Sequence, residues 1–361
     1  MRGTDEEVEG EQGHLMEMRG VGQNSGLVSI GYEADNSHGL ASLTGWLREH
    51  PTIGVVMMVG CLLVIGSVAV QGFLSRSDVD SLLILSSFLC IASIGQTLVV
   101  VLGGIDLSIP GTVGLGEVMT TVLSGNHFPF IAIVALLLGS GVVVGICNGG
   151  ISAVFRLHPL IVSLGMSFVV TGGVLVWTSG GAAQGSAPPA LTSMVSAFSK
   201  IGPLPVPPVV GVCGGFVLLA YVLQRRTRLG KEIYALGSNA SAAALALSRR
   251  RWVWIAAFVI SAWTAEAAGM FLGGFSGGAD FGVGSDYLFL SIAAVVVGGT
   301  SLLGGDGGVG RTVWGSVTVL LLTTILVGLG ITPSLQETLL GVFIIVVVAL
   351  TSREPSIRSR V

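Results

Sequence analysis

From about residue 53 onward the chain is a succession of apolar runs separated by short polar breaks. A membrane-spanning helix needs about 20 mainly apolar residues, and fewer where it is broken or buried among neighbours. By that measure ten segments are predicted: 53–74, 82–102, 107–123, 130–154, 160–179, 208–224, 252–274, 287–303, 311–329 and 336–351. Residues 1–50 have a different character. They are polar, rich in Gly, Ser and Glu, and lack helical periodicity, which reads as a disordered cytoplasmic arm. The first apolar run begins near Ile53, too late for a secretory signal peptide.

Composition sharpens this picture. Of 361 residues, 51% are hydrophobic and 10% charged, with a mean hydropathy of +0.86; a soluble domain carries about 25% charged residues. Nine acidic and three basic residues fall within 1–50, leaving 11 acids and 14 bases for the other 311 positions. The expected fold is an all-α polytopic membrane protein, with a transmembrane region over 51–352 and a short cytoplasmic tail over 353–361. A net charge of −3 gives no electrostatic reason to bind nucleic acid. Cys61, Cys90, Cys147 and Cys213 lie in apolar runs without CxxC spacing or a nearby His, and read as buried, reduced thiols rather than metal ligands.

Charge also orients the chain. With residues 1–52 inside and ten crossings, the inner segments collect fifteen Lys or Arg residues and the outer ones keep Arg76 and Lys200. That bias favours ten spans with both termini cytoplasmic. The outer stretch 180–207 is rich in Pro, Gly and Ala and suits a cap over an external vestibule. The inner stretch 225–251 is the only long basic loop, and in it Asn239 is placed to cap a short helix over Ala240–Leu247. That helix would lie outside the membrane, held near lipid headgroups by the flanking arginines; the plainer reading is just a long connecting loop.

Glycine is abundant, at 55 residues, about twice the usual share. Small residues let membrane helices approach closely and permit breaks where backbone lines a cavity. At Gly103–Gly111 (GGIDLSIPG) Asp106 or Ser108 is placed to cap a helix with Pro110 in its first turn. Two readings stand: a broken helix near a conduit, or a tight cytoplasmic turn. Glu117 and Glu266 fall within spans, where a central carboxylate costs about 2.5–3.5 kcal/mol and so faces protein or water or is protonated. They are candidates for a hydrophilic path or for interhelical hydrogen bonds. Gln96, Asn148, Ser163, Thr171 and Gln336 carry the same pair of readings. Trp177 and Trp263 are sugar-stacking candidates or interface anchors. No GxxxxGKS/T phosphate cradle occurs, so nucleotide hydrolysis by this chain is not expected. Gly274-Phe275-Ser276-Gly277 resembles the serine motif of rhomboid proteases, but all five histidines, the last being His158, precede Ser276, and that reading fails.

Four blocks resemble one family, the ribose-type permeases of bacterial ABC carbohydrate importers. They are GGIDLS at 103–108; Asn148-Gly149 through His158-Pro159-Leu160-Ile161-Val162-Ser163-Leu164-Gly165; Gly237-Ser238-Asn239 followed by Ala242-Ala243; and GGTSLLGGDGGVGRTVWG at 298–315, which contains Gly298, Gly299, Thr300, Ser301, Gly304 and Gly305. Their order and spacing match the family over roughly residues 50–352. The resemblance implies a permease working with a second permease subunit, two ATPase subunits that carry ATP and Mg, and an extracytoplasmic solute-binding protein, all in the bacterial inner membrane. This chain would bind no cofactor and no metal of its own. The resemblance makes 237–248 the segment that couples to the ATPase, through Gly237, Asn239, Ala242, Ala243, Leu245, Arg249, Arg250 and Arg251. The path candidates are Gln96, Asp106, Ser108, Glu117, Ser163, Thr171, Trp263 and Glu266.

There are departures. Ala240, Ser241 and Ala244 stand where the family usually has charged residues, and Leu247 replaces a usual Gly. A heteromeric importer, in which a different permease carries the fuller coupling helix, would explain that loss. Glu117 and Glu266 occupy positions expected to be small or apolar. Branched-chain amino acid permeases share the broader fold and a similar first block, whereas GGTSL favours the sugar side. An ion-gradient-driven secondary transporter is the alternative; it would need protonatable groups along the path.

Overall fold

The structure is a computed structural model that describes residues 51–180, 185–201, 206–239, 242–243, 250–278 and 282–351. The N-terminal arm and the tail over 353–361 lie outside the described residues. Regular structure among the described residues is helical: α1 (Pro51–Ala69), α2 (Arg76–Val101), α3 (Ile109–Gly125), α4 (Phe130–Phe155), α5 (Pro159–Trp177), α6 (Pro189–Met194), α7 (Pro208–Arg226), α8 (Arg228–Ser238), α9 (Arg250–Ser276), α10 (Val283–Val297), α11 (Val309–Gly328) and α12 (Pro333–Thr351). Every predicted apolar segment coincides with one of these helices. Seven of them (α1, α2, α4, α5, α7, α9 and α11) are long and apolar enough to cross a membrane.

Two predicted segments run several residues past the ends of their helices. The run 53–74 stops being helical after Ala69 because the chain turns at Gly72 and lays the Phe73 ring against Gly66 of the same helix. The run 287–303 stops at Val297. Gly299, in the left-handed region at φ +86°, closes the helix, and the Thr300 N–H returns to the Val295 carbonyl at 3.1 Å.

Helix α9 is the centre of the packing, lying against α2, α3 and α4, while α11 joins α10, α2 and α1. Within the apolar window of α2, 94% of residues are buried, against 11% for α5, so α2 is an interior helix and α5 a peripheral one. In lipid the tails are as apolar as Leu, so close van der Waals contact rather than apolar burial holds helices together. The seams meet that demand. Gly145 and Gly149 of α4 lie on the backbone of Val259 and Ile255 of α9, and Gly116 of α3 and Gly269 of α9 each sit on a carbonyl of the other helix, Glu266 and Val113. Phe88 of α2 stacks on Phe271 of α9 at 6.3 Å and meets Phe275 edge-on at 5.9 Å.

Cys90 and Cys213 are buried as expected, but Cys61 is exposed and Cys147 only half-buried, because α1 and part of α4 lie at the periphery. All four are free thiols. No cluster able to hold a metal ion occurs among the described residues.

Candidate functional site: a buried break and a three-loop junction

The chain leaves the helix after Val101 and re-enters it at Ile109. Neither Asp106 nor Ser108 caps α3 by its side chain. Ser108 occupies the N-cap position without such a bond. Instead the Asp106 Oδ1 accepts the backbone N–H of Ser108 at 2.9 Å and its hydroxyl at 2.5 Å. A short Asp side chain reaches the residue two positions on more readily than the helix beyond it, which is why the predicted cap became a local turn.

That turn is tied to two other helices. Asn148 of α4 donates from Nδ2 to Ser108 Oγ at 2.9 Å. Ser163 of α5 accepts the Leu107 N–H at 2.9 Å and donates to the Ile105 carbonyl at 3.3 Å. Ser261 of α9 stands beside the Asp106 carboxyl. Asp106, Ser108, Asn148 and Ser163 are all at most 1% exposed. The first two family-like blocks therefore form one buried polar network that satisfies the unwound backbone between α2 and α3. His158, in the second block, caps α5 by accepting the Leu160 N–H at Nδ1, 3.4 Å away.

The other two blocks meet the same loop from the other side. The Gly305 N–H donates to the Val101 carbonyl at 2.8 Å, and Gly237 rests on that same carbonyl. A helix leaves its last carbonyls without intrahelical partners, so α2 ends by handing one to the 298–308 loop. Gly304 and Gly305 adopt φ +84° and +75°. A Cβ on Gly304 would stand 3.0 Å from Gly103 Cα, and one on Gly305 2.8 Å from Ser238 Cα. Both backbone conformation and space thus require glycine there. Around this contact, Tyr234 of α8 donates to the Gly307 carbonyl at 2.7 Å, and the Gln224 Oε1 accepts the Val309 N–H at 3.0 Å. Arg311 pairs with Asp306 at 3.3 Å and donates to the Gly299 carbonyl at 3.1 Å. Thr300 Oγ1 accepts the Gly308 N–H at 3.4 Å, and the Ser301 N–H reaches the Asp306 carbonyl at 3.1 Å. Burial raises the Tyr234 phenol above the usual tyrosine value, against the opposing pull of Arg225 and Arg311, so it remains a neutral donor.

Helix α8 was not predicted; the sequence reading placed a helix only after Asn239. Its signals are Thr227, whose hydroxyl accepts the Gly230 N–H at 3.2 Å, and the pair Ile233 and Leu236, which form its buried stripe. Asn239 ends α8, and its Oδ1 accepts the Ala242 N–H at 3.0 Å, the capping bond expected of it. Ala243 is buried in a cluster with Leu98, Val99 and Leu236, while Ala242 is exposed. Leu245, Arg249 and most of the predicted 240–247 helix lie outside the described residues. Arg250 and Arg251 are exposed at the start of α9.

The path candidates are not gathered in one place. Glu266 accepts a hydrogen bond from Ser140 of α4 at 3.0 Å, and Glu117 accepts one from Ser276 of α9 at 3.3 Å; both lie buried in the α9 seams. Trp263 donates to the Leu138 carbonyl at 2.8 Å, which makes it a link between α9 and α4. Thr171 is exposed on α5, and Trp177 is exposed at that helix's end. Gln96 is fully buried in α2, and its amide makes no hydrogen bond among the described residues. Gln336 donates to the nearby Ile331 carbonyl at 2.6 Å.

Comparison with known proteins agrees with the motif reading. The model of the family "Branched-chain amino acid transport system / permease component" matches residues 78–348. The ribose import permease protein RbsC of Escherichia coli K12 is 29% identical over 312 residues, covering 86% of this chain and 95% of RbsC. The autoinducer 2 import system permease protein LsrD of Photorhabdus temperata is 29% identical over 282 residues, covering 75% of this chain and 83% of LsrD. LsrD of Escherichia coli SMS-3-5 is 29% identical over 310 residues, covering 82% and 91%. No solved structure matches the chain. With the family model spanning most of the sequence and all four blocks folded into two joined networks, the chain belongs to this family of transport-system permeases and is a multi-pass membrane protein.

Proposed function

We propose that this chain is a membrane permease subunit of a bacterial ATP-driven importer, with ten spans, both termini cytoplasmic, residing in the inner membrane. Separate ATPase subunits carry ATP and Mg, and a solute-binding protein outside delivers the cargo. The cargo class is a monosaccharide or a related small polar solute; RbsC is named for ribose import and LsrD for autoinducer 2 import.

The observation that carries this reading is the position of α8. This helix and Asn239 emerge at the end of the bundle where Arg225, Arg226, Arg228, Lys231, Arg250, Arg251 and Arg311 collect, and they rest on the last carbonyl of α2. A passive scaffold has no need to seat an amphipathic basic segment on the end of its most buried helix. The 225–251 loop is thus the surface that the ATPase pushes. A second permease subunit completes the conduit, and the uncharged Ala240–Ala244 stretch favours a different chain in that role.

The test is native mass spectrometry of the complex purified from its own host through a tag on this chain. Co-purifying ATPase subunits with one copy of this chain and one other permease are expected. A complex without ATPase, under conditions that keep membrane assemblies whole, would overturn the reading and put ion-gradient transport in front. In membrane vesicles, uptake of radiolabelled ribose and other monosaccharides should require ATP and survive an ionophore that dissipates the ion gradient.

A further inference from the structure

The geometry points to a specific mechanical link, resting on the function proposed above: Gly237, Gly305 and the Val101 carbonyl form a three-loop pivot that passes motion of the 225–251 segment to the buried break at 102–108. Gly237 and Gly305 are positioning residues and Tyr234 is their brace.

Three observations make the link continuous. First, the Val101 carbonyl, the last of α2, is touched from one side by Gly237 and bonded from the other by the Gly305 N–H at 2.8 Å. No side chain lies between these backbones, so displacement of one is not absorbed by rotamer changes. Second, the pivot is braced at both flanks. Tyr234 Oη holds the Gly307 carbonyl at 2.7 Å, and Gln224 Oε1 holds the Val309 N–H at 3.0 Å. Helices α7, α8 and the start of α11 therefore move with it. Third, the chain enters the break directly after Val101, and its Ile105, Leu107 and Ser108 are tied to Ser163 of α5 and Asn148 of α4. Helix α5 is the peripheral one, with few of its residues buried inside this subunit, and so it has the least packing to resist a shift. A push on α8 reaches α5 through backbone contacts and buried hydrogen bonds alone. Packed interfaces of this kind switch between discrete arrangements rather than deform smoothly.

The test uses the intact complex from its own host, with hydrogen–deuterium exchange read with and without MgATP plus orthovanadate. In the natural chain, trapping should change exchange in peptides covering both 228–243 and 103–109. In Gly305→Ala, where the new methyl meets Ser238 on the other side of the Val101 contact, ATPase subunits should still co-purify and 228–243 should still respond. The response of 103–109 should fall at least about fivefold, the lower end of ordinary site-to-site coupling. Tyr234→Phe adds no bulk and serves where Gly305→Ala fails to assemble; it should weaken the 103–109 response while leaving ATPase binding whole. The inference is overturned if 103–109 ignores trapping in the natural chain, or responds fully in whichever variant assembles, while the ATPase is present. Absence of the ATPase from the natural complex would instead overturn the functional reading, and the pivot with it.

Discussion

Asp106 and Glu266 are both carboxyl groups buried next to α4, yet their surroundings differ in kind. Asp106 sits in unwound chain, accepts an N–H and a hydroxyl from Ser108, and through Ser108 reaches Asn148. Glu266 sits in the middle of α9, accepts one hydroxyl from Ser140, and its Oε2 finds no hydrogen bond among the described residues. The reason is the backbone. A helix spends its own N–H groups on its own carbonyls, so a carboxyl on it depends on donors from other side chains. A break leaves N–H groups free, and a carboxyl there settles them and itself together. The family-like motif has put its acid where the backbone needs it. The two glutamates outside the motif have been fitted into a helix seam.

That contrast can be broken at the seam first. Gly269→Val drives a side chain into the Val113 carbonyl and forces α3 from α9; a loss of about 3 kcal/mol, or failure to assemble, is expected from overpacking. Thermal unfolding in mild detergent reads it, and an unchanged midpoint would mean the helices are further apart than described.

Next is the break itself. Asp106→Ala strands the Ser108 N–H in the interior and should cost about 2 kcal/mol, whereas Asp106→Asn keeps an acceptor and should recover most of that. Equal losses for the two variants would show that acceptance by Oδ1 is not what the site needs.

Glu266→Gln is predicted to change stability by only about 0.6 kcal/mol, the average worth of a hydrogen bond between membrane helices. ATP-dependent uptake should persist in that variant. Loss of uptake together with loss of proton or sodium coupling would transfer Glu266 from the seam to the path.

The smallest effect belongs to His158→Ala. It removes one cap bond of 3.4 Å at an exposed helix start and should cost about 0.5 kcal/mol. A much larger loss, measured by the same unfolding assay, would give His158 a partner outside this chain.

Much of the molecule was legible along the chain, for physical reasons. Apolar runs of spanning length leave few alternatives to helices in lipid, where each backbone group must be satisfied within its own segment. So every predicted segment holds a helix, seven of them long and apolar enough to cross a membrane, and the predicted segments missed at ends such as 70–74 and 298–303, where turns consumed apolar residues. Thr227, Ile233 and Leu236 also signalled α8, but a short amphipathic helix is faint beside long apolar runs. The capping role of Asn239 was readable because a cap is a local bond. The glycines were visible too, and so was their general use in close packing.

What the sequence could not determine is which of these pieces touch. Spacing along the chain does not say that Val101 and Gly305, 204 residues apart, share a backbone hydrogen bond, nor that Asn148 and Ser163 close around Ser108 and Leu107. It left Glu117 and Glu266 open between a path and a seam, and Trp263 between sugar stacking and an interface anchor, because an apolar run carries no record of which face meets which helix. Length, charge and periodicity are properties of a chain and set the class of fold. A contact is a property of two surfaces brought together, and only the packing of α9 against its neighbours decided which polar groups would find each other.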